Sequence, residues 1–403
     1  MDKYIPSYPI WHCYMIKILF VTQHNPFANS FGAEQRAHVL MRAALNCGCE
    51  VDIAYISAMP TAIPGQLPAG VRVVMHGHPD TRGKGRLREL TDRLGANVFM
   101  TDKQLAHNLR GIMQAGGYDY VMCRYIACAQ RVGLRPYAHK LILDIDDLPS
   151  QAVAGQLRQA SNHRTIFRTL AVPVEHILKW RTRQWVKDSL CTFLPNKAQA
   201  DAWGTDFLPN IPVVSVSEPH FEGGTRNILF IGLLSYKPNS QAIAQFADTV
   251  LPKITQKVPE AKLIVAGKGL PKEIADKWQN RSDIQALGFV ENLHDFYQMG
   301  NIVICPVNVG GGTNIKVVEA MAMGKACVMS RFGMEGFETF VHDGTNAFVA
   351  DNDDEFAGKC IALLQDDTLC ARMQKEAHEG SMRYYSQSTI DNLLAAKLGG
   401  RNA

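Results

Sequence analysis

Short apolar runs alternate with segments of helical period along the whole chain. The first run, IKILFVTQ, precedes GAEQRAHVLMRAALNCG, in which apolar residues recur every three or four positions and Gly48 stands where a C-cap would. Four further runs follow in this half: VDIAYIS, VRVVMHG, YDYVMCRYIA and KLILDIDD. Such alternation is typical of a parallel sheet that is covered by helices on both faces.

A second series of the same kind follows LPNIPVVSVSEPHFEGGTR, a Pro/Gly/Ser-rich stretch without helical period. Its members are NILFIGLL, a helix from Asn239 to about Ile254, KLIVAGKG, DIQALGFV, NIVICPVNV, a helix from Thr313, KACVMS and TNAFVA. We therefore expect two doubly wound α/β domains, at residues 15–207 and 227–379. Residues 208–226 form the linker, and a closing helix at about 380–400 crosses back to the first domain. Residues 1–14 are expected to be a disordered lead.

Length and composition place the protein among soluble globular proteins. The 403 residues are too many for one ordinary core, and 46% of them are hydrophobic and 20% charged. No apolar run approaches the roughly 20 residues of a membrane helix, and Met15–Val21 is too short for a signal core. The ten cysteines are scattered without a zinc-binding pair, which predicts reduced thiols and a cytoplasmic protein.

Positive charge is concentrated in the first half of the chain. Residues 1–207 contain 24 Lys and Arg against 16 Asp and Glu, whereas the remaining residues have an acidic excess. The basic residues cluster in TRGKGRLREL and in HRTIFRTLAVPVEHILKWRTRQWVK. Each cluster could bind an anionic acceptor or an anionic membrane surface, or could be a solvated helix face. No aromatic stacking platform accompanies them, so we do not expect nucleic-acid binding.

The segment CPVNVGGGTNIKVVEAMAMGKACVMS contains the strongest candidate for a binding site. Gly310–Gly312 allow close approach of a ligand to the backbone, and Thr313 as N-cap would make Lys316 the third helical residue. Free N–H groups and an ammonium at a helix start suit a phosphate. Glu319, on the same helix face, could accept hydrogen bonds from sugar hydroxyls. The alternative is an exposed Lys–Glu pair after a tight turn.

Residues 227–350 resemble the carboxyl-terminal domain of the group 1 (family 4) retaining glycosyltransferases with the GT-B fold. The resemblance is based on Gly310–Gly312, IKVVEAMAMGKACVMS, AGKG and LGFV, and the first half matches more loosely through SFGAEQRAHVL. It implies two facing Rossmann-like domains with an interdomain cleft, a nucleotide-sugar donor bound mainly by the second domain, and transfer with retention.

The resemblance also implies roles for individual residues. Glu319 should bind the donor ribose, while Lys316 and the backbone of Gly311–Thr313 should bind the diphosphate. The backbone at Phe289 and Val290 should border the base, and Gly32 should approach the donor from the other domain. The predicted donor-binding residues are Gly32, Gly232, Lys237, Lys268, Phe289, Val290, Gly311, Gly312, Thr313, Asn314, Lys316 and Glu319.

The chain departs from the common family pattern in three places. Gly311 stands where most members have a first glutamate, Leu233 replaces an arginine, and Arg124 replaces a histidine. Lys316 is therefore the main candidate for the diphosphate cation, with Lys237 or Lys268 as helpers. The identity of the donor sugar stays open.

The catalytic candidates are Lys316, Glu319, His24, Asp146 and Arg124. The resemblance implies that the departing phosphate takes the acceptor proton, so no dedicated base is required. Asp146 or Asp147 could orient the acceptor hydroxyl, whereas Asp144 is expected to be structural. Asp144 and Asp146 could instead hold a divalent metal, as in GT-A transferases. Two successive parallel domains argue against that class, so neither metal nor cofactor is expected.

The sequence therefore predicts a retaining glycosyltransferase that moves a sugar from a nucleotide-diphosphate donor to a glycan or lipid-linked acceptor. Cell-surface polysaccharide synthesis is the expected setting, in the cytoplasm or at the inner face of the membrane. The alternatives are a nucleotide-sugar epimerase of the same fold and a non-catalytic nucleotide-sugar-binding subunit. A Rossmann dehydrogenase is disfavoured because no GxGxxG follows the first strand.

Overall fold

A computed structural model describes residues 15–28, 32–58, 61–79, 96–151, 153, 165–213, 218–310 and 313–399. Side chains of the helix that begins at Thr165 are described from Val172 onward. The expected lead at residues 1–14, the cluster TRGKGRLREL, and Gly311 and Gly312 lie outside the described residues.

The first sheet has seven parallel strands, in which the strand order reverses around β1. The strands are β1 Lys17–Thr22, β2 Glu50–Ile56, β3 Val71–Gly77, β4 Tyr120–Arg124, β5 Leu141–Asp144, β6 Cys191–Leu194 and β7 Asp206–Phe207. They lie side by side in the order β3-β2-β1-β4-β5-β6-β7. In such a sheet, ligands bind beyond the carboxyl ends of the strands at the point of reversal, here between β1 and β4.

The second sheet repeats this arrangement with six strands. The strands are β8 Asn227–Ile231, β9 Lys262–Ala266, β10 Ile284–Gly288, β11 Ile302–Cys305, β12 Ala326–Ser330 and β13 Phe348–Ala350. Their order is β10-β9-β8-β11-β12-β13, so the reversal lies between β8 and β11. The predicted pair of doubly wound domains is confirmed.

Helices cover both faces of each sheet. The α-helices are α1 Gly32–Asn46, α2 Lys103–Gly116, α3 Ile126–Arg131, α4 Thr165–Asp188, α5 Lys197–Trp203, α6 Lys237–Gln245, α7 Leu251–Lys257, α8 Lys272–Trp278, α9 Leu293–Gln298, α10 Ile315–Ala322, α11 Arg331–Met334, α12 Asp353–Gln365, α13 Asp367–Tyr384 and α14 Gln387–Leu398. None of the described helices is both long and apolar enough to cross a lipid bilayer.

Strand β1 shows why its sequence is apolar without interruption. Because helices pack on both faces of the sheet, Ile18 and Phe20 enter one core and Leu19 and Val21 enter the other, and all four are fully buried.

Nine cysteines lie in the described part of the chain, and all nine are free thiols.

Two details of the predicted elements were wrong or missing. The predicted helix from Asn239 runs instead as α6, a π-helical turn at Phe246–Val250, and α7. Pro252 lacks an N–H and its ring crowds the preceding turn, so the backbone widens there. Strands β6 and β7 were not predicted, because they contribute only CTFL and DF to the sequence.

The closing helix α14 packs against α1 of the first domain. The amide of Asn46 donates to Asp391 at 2.8 Å, and the hydroxyl of Tyr120 donates to the Leu398 carbonyl at 3.0 Å. Leu394, in the middle of the helix, is fully buried in the core that contains Ile18. The last described helix therefore packs on the first domain, although α13 before it packs on the second.

Replacing Leu394 with alanine should destabilise the first domain by about 3 kcal/mol, because the change leaves a cavity in a packed core. Denaturant unfolding followed by circular dichroism measures this loss. The matched control is Asn392→Ala on the exposed face of α14, which should change stability by no more than about 0.5 kcal/mol. Equal effects of the two substitutions would mean that α14 is not held on the first domain.

Candidate active site

The carboxyl ends of the two sheets meet at a cleft between the domains. Asn210, in the linker, donates to the hydroxyl of Thr313 at 2.6 Å, immediately before α10. A β-carbon placed on Gly32, at the start of α1, would lie 3.9 Å from the Ile315 side chain of α10. The two strand-order reversals therefore face each other across a narrow space.

Helix α10 begins one residue later than the sequence predicts. Its N-cap is Asn314, which makes no capping hydrogen bond through its side chain. The predicted cap, Thr313, holds Asn210 with its hydroxyl instead. Lys316 is thus the second residue of the helix rather than the third, and the N-cap side chain does not satisfy the free N–H groups at this helix start.

Lys316 is a cation without a carboxylate partner among the described residues. Its Nζ donates to Asn239 Oδ1, on α6, at 2.6 Å and lies 4.9 Å from the centre of the Phe230 ring. Burial lowers the pKa of Lys316 from its usual value. A β-carbon on Gly232 would lie 3.3 Å from Nζ and 3.0 Å from Asn239 Nδ2, so a larger residue there would displace the Lys316–Asn239 pair by a few tenths of an ångström. An anion here would neutralise Lys316 and meet the start of α10.

Glu319 is almost fully buried one helical turn beyond Lys316. The hydroxyl of Tyr297, on α9, donates to its Oε1 at 2.7 Å. Burial raises the pKa of Glu319 and outweighs the opposing effect of the Tyr297 hydrogen bond. Only Oε1 has a hydrogen bond among the described residues, which leaves Oε2 for a ligand hydroxyl.

The remaining predicted donor-binding residues lie along the same wall of the cleft. Lys268 Nζ lies 3.8 Å from the ring centre of Phe289, whose side chain is 55% exposed. Val290 is half-buried beside it, and Lys237 is exposed at the start of α6. Lys237 and Lys268 can therefore be reached from solvent, whereas Lys316 belongs to the first turn of α10 itself.

Arg124 does not face the cleft, contrary to its expected catalytic role. It is fully buried, and its guanidinium donates to Asp144 at 3.0 Å and to Asp146 at 2.7 Å. A third donation goes to the backbone carbonyl of Ala33 in α1. A group without exposed surface cannot touch a substrate in this structure, so Arg124 acts through the residues that it positions.

Asp144 is the centre of this buried network and is structural, as predicted. Besides Arg124 it accepts two hydrogen bonds from Nε of Arg36, at 3.0 and 2.9 Å, and a third from Nη2 at 2.5 Å. Arg36 also donates to the carbonyl oxygens of Leu208 and Pro209 and to Asn210. The network therefore ties α1, β4 and β5 to the start of the linker.

The two carboxylates after β5 differ in their surroundings. Asp146 accepts from Arg124 and from the hydroxyl of Tyr125 at 2.9 Å, and although burial opposes ionisation, the charges of Arg124 and Arg36 hold the pKa of Asp146 below its usual value. Asp147 reaches solvent and has no hydrogen bond among the described residues. The surrounding protein and the negative charge of Asp146 raise the pKa of Asp147 to about 6. Asp147 is thus the carboxylate more available to a ligand.

His24 and Tyr125 line the cleft at the first strand-order reversal. Their rings lie edge to face with centres 5.6 Å apart. Burial, together with the charge of Arg124, lowers the pKa of His24 to about 4, so its imidazole is neutral at pH 7. Tyr125 has φ of +66°, a strained conformation for a residue with a β-carbon, and such strain is concentrated at functional sites.

Sequence reasoning missed five residues that shape the site: Arg36, Tyr125, Asn210, Asn239 and Tyr297. Each acts through a partner far away in the chain, and Arg36 and Asp144 are 108 residues apart. The one local signal was the position of Tyr125, directly after an apolar strand that ends at the cleft.

The alternative of a metal at Asp144 and Asp146 has little support in the geometry. Both carboxylates are already paired with arginine. Among the described residues, no group of three or more His, Cys, Asp or Glu side chains could hold a metal ion. Metal independence remains a prediction.

Comparison with known proteins identifies the class to which this fold and site belong. Residues 225–366 match the family model "Glycosyl transferases group 1". The structure resembles sucrose-phosphate synthase from Thermosynechococcus elongatus, with a TM-score of 0.68 at 13% identity over 96% of this chain and 100% of that one. It also resembles Anabaena HepE in complex with UDP, with a TM-score of 0.59 at 15% identity over 96% and 100%. The chain therefore has the GT-B fold, and its second domain matches a glycosyltransferase domain model.

Two curated relatives refine this assignment. A phosphatidyl-myo-inositol mannosyltransferase of Mycolicibacterium smegmatis is 27% identical over 250 residues, which are 59% of this chain and 63% of the relative. An uncharacterized 44.6 kDa protein in the cps region of Klebsiella pneumoniae is 23% identical over 86% of this chain and 90% of the relative. Residues 225–366 therefore match a group 1 glycosyltransferase domain, and the resemblance seen in the sequence of this part of the chain is confirmed.

Replacing Asp144 with alanine should destabilise the protein by about 3–5 kcal/mol, because two buried guanidinium groups lose their shared carboxylate. Denaturant unfolding provides the measurement. Asp147→Ala is the matched control, and it should cost no more than about 0.5 kcal/mol because Asp147 is exposed and makes no hydrogen bond among the described residues. If the two variants were equally stable, the network would not be holding the sheet and linker together.

Acidification should destabilise the wild type more than the variant His24→Gln. The pKa of His24 is about 6.5 in the unfolded chain, as for an ordinary histidine, whereas burial and the charge of Arg124 lower it to about 4 in the folded protein. Between these values the unfolded state binds more protons, so stability falls as the pH is lowered through that window. The wild type should lose roughly 2 kcal/mol more than the variant between pH 7 and 4. The exposed His107→Gln variant is the control, and its stability should follow that of the wild type at every pH. If His24→Gln also lost stability in parallel with the wild type, the prediction would be wrong.

Proposed function

We propose that this group 1 glycosyltransferase transfers a sugar, with retention, from a nucleoside diphosphate sugar to a glycan or lipid-linked acceptor. The observation that carries the proposal is Lys316. Its ammonium lies at the start of α10, beyond the glycine run, without a carboxylate partner among the described residues. A diphosphate supplies the charge that this arrangement lacks.

The donor would occupy the wall formed by the second domain. Lys316 and the N–H groups at the start of α10 would bind the diphosphate, and Glu319 Oε2 would accept from the ribose hydroxyls. Phe289, exposed beside Lys268, would border the base together with the backbone of Val290. The structural relative from Anabaena binds UDP, which supports a nucleoside diphosphate here, while the base and the sugar stay open.

The transfer itself requires stabilisation of the leaving diphosphate. The acceptor hydroxyl oxygen forms a bond to the anomeric carbon on the face from which the diphosphate departs with its bonding electron pair. The acceptor proton passes to an oxygen of the departing phosphate, so no protein base is needed. Lys316 and the helix N–H groups stabilise the charge that develops on that group.

The first domain would orient the acceptor. Neutral His24 can donate or accept a hydrogen bond from the sugar side of the cleft. Asp146 and Asp147 were the two alternatives for the contact with the acceptor hydroxyl. Asp146 already accepts from Arg124 and Tyr125, so in our proposal Asp147 makes that contact. Arg124 positions Asp146 and has no direct role.

Cell-surface polysaccharide or glycoconjugate synthesis is the setting that we propose. One curated relative is described as a phosphatidyl-myo-inositol mannosyltransferase and another as a protein in a cps region. An acceptor of this kind is carried at a membrane, which supports a cytoplasmic enzyme that contacts the inner face peripherally.

Calorimetric titration with UDP, GDP and ADP tests the donor site. One nucleotide should bind selectively, and Lys316→Ala should weaken its binding by about 1.5–3 kcal/mol, as for a charge-assisted contact. The control is Lys272→Ala on α8, whose ammonium is exposed and paired with Asp276 at 2.6 Å. Binding that is unaffected by Lys316→Ala, or no binding at all, would refute the site.

Hydrolysis of the donor separates an enzyme from a non-catalytic nucleotide-sugar binder. A transferase without its acceptor releases sugar slowly to water, so the sugar donor of the selected nucleotide should be consumed in its presence. Binding without any hydrolysis would favour the non-catalytic subunit.

A further inference from the structure

Helix α4 exposes large apolar side chains on its outer face. Val172, Ile177 and Trp180 are 57%, 51% and 55% exposed, although residues of this size are normally covered. At about 100° per residue most exposed side chains of the described part of α4 share an arc of about 140°; they are Val172, Pro173, His176, Ile177, Trp180, Arg183 and Lys187, and the exposed Asp188 lies just beyond this arc. The opposite side holds Leu178, Thr182 and Trp185, which are almost fully buried in the first domain.

The charges on this face are of one sign. Arg183 lies with its guanidinium carbon 5.8 Å from the Trp203 ring centre, and exposed Lys187 has no acidic partner among the described residues. The two acidic residues of the described part of α4 lie at the margins and are neutralised, Glu175 by Lys179 and Asp188 by Arg135. The face therefore combines apolar surface with unopposed positive charge.

A second element widens the surface at its edge. Phe99 ends a short 3-10 helix at Ala96–Phe99, and Met100 follows it. The two residues are 39% and 43% exposed. The Arg181 guanidinium of α4 lies 5.6 Å from the Phe99 ring centre, so Phe99 adjoins the helix. We define the docking face as the outer residues of α4 from Val172 to Lys187 together with Phe99 and Met100.

The position of α4 relates this face to the cleft. Strand β5 ends at the cleft, and the chain must return along the sheet before β6 begins, so α4 starts near the cleft and runs away from it. The docking face spans about 22 Å along the helix at 1.5 Å per residue. A surface lying against it would be close to the mouth of the active site.

We propose that the docking face of α4 binds the surface of an anionic lipid bilayer. Tryptophan and aliphatic side chains enter the interface between headgroups and acyl chains, while lysine and arginine attract anionic headgroups. An apolar protein partner would leave Arg183 and Lys187 without counter-charges, which is why a bilayer fits better than a second copy of this chain. The inference extends the proposed function, but its test needs neither donor nor acceptor.

Co-sedimentation with vesicles tests this proposal on the full chain. Vesicles of phosphatidylcholine with 30% phosphatidylglycerol should bind the protein at least tenfold better than phosphatidylcholine alone, and added salt should reduce the binding. Two double variants should each bind these vesicles roughly tenfold less than the wild type. One combines Ile177→Ser with Trp180→Ser, and the other combines Arg183→Ser with Lys187→Ser. These side chains are exposed, so the variants should fold, as circular dichroism would confirm.

The control variant removes comparable exposed apolar surface elsewhere, through Met382→Ser with Tyr384→Ser on α13, where the two side chains are 39% and 49% exposed. It should bind vesicles like the wild type. Equal binding to both vesicle types, or equal loss in all variants, overturns the proposal. A third outcome would also overturn the proposal. If the protein did not bind vesicles, and light scattering showed a dimer that the α4 substitutions dissociate, the docking face would bind a second copy of this chain instead. Failure here leaves nucleotide binding at Lys316 unaffected.

Discussion

The carboxylate of Asp144 is the point on which the cleft depends. It is fully buried, and burying one charge is affordable only because Arg36 and Arg124 surround it with charge-assisted hydrogen bonds. Through Arg36 the same carboxylate fixes the start of the linker, and the linker residue Asn210 reaches Thr313 immediately before α10. Electrostatics inside one domain thus determine where the other domain begins its site.

Two kinds of positive charge serve different purposes in this architecture. Arg36 and Arg124 are fully paired and shape the scaffold, whereas Lys316 has only the neutral Asn239 oxygen and an aromatic ring beside it. A cation held in this way is poorly compensated, and burial lowers its pKa accordingly. In the function that we propose, a diphosphate bound in the cleft would supply the charge that Lys316 lacks, and relief of this uncompensated charge would contribute to binding.

Local patterns in the sequence were sufficient for the architecture. Apolar runs and helical periods recur within 20 residues, so most strands of both sheets and the helices with the clearest apolar period could be predicted. The helix start at α10 could not, because the hydroxyl of Thr313 is occupied by a residue 103 positions earlier. The orientation of Arg124 could not be predicted either. Its place in the family pattern suggested a substrate contact, but hydrogen bonds to Asp144 and Asp146 direct its guanidinium into the domain. The exposed Trp180 was visible in a basic cluster, but its orientation required the packing of α4.

Because α14 returns to the first domain, two separate segments of the chain connect the second domain to the first. The earlier connection is held at its start by Arg36 and near its end by Gln374, which donates to the Glu222 carbonyl at 2.7 Å. The later one passes through Tyr385 and Ser386, between α13 and α14. A rigid body attached at two points can turn freely only about the line that joins them. Two connections therefore constrain the relative rotation of the domains more than one would, and they favour a hinge axis that passes near both.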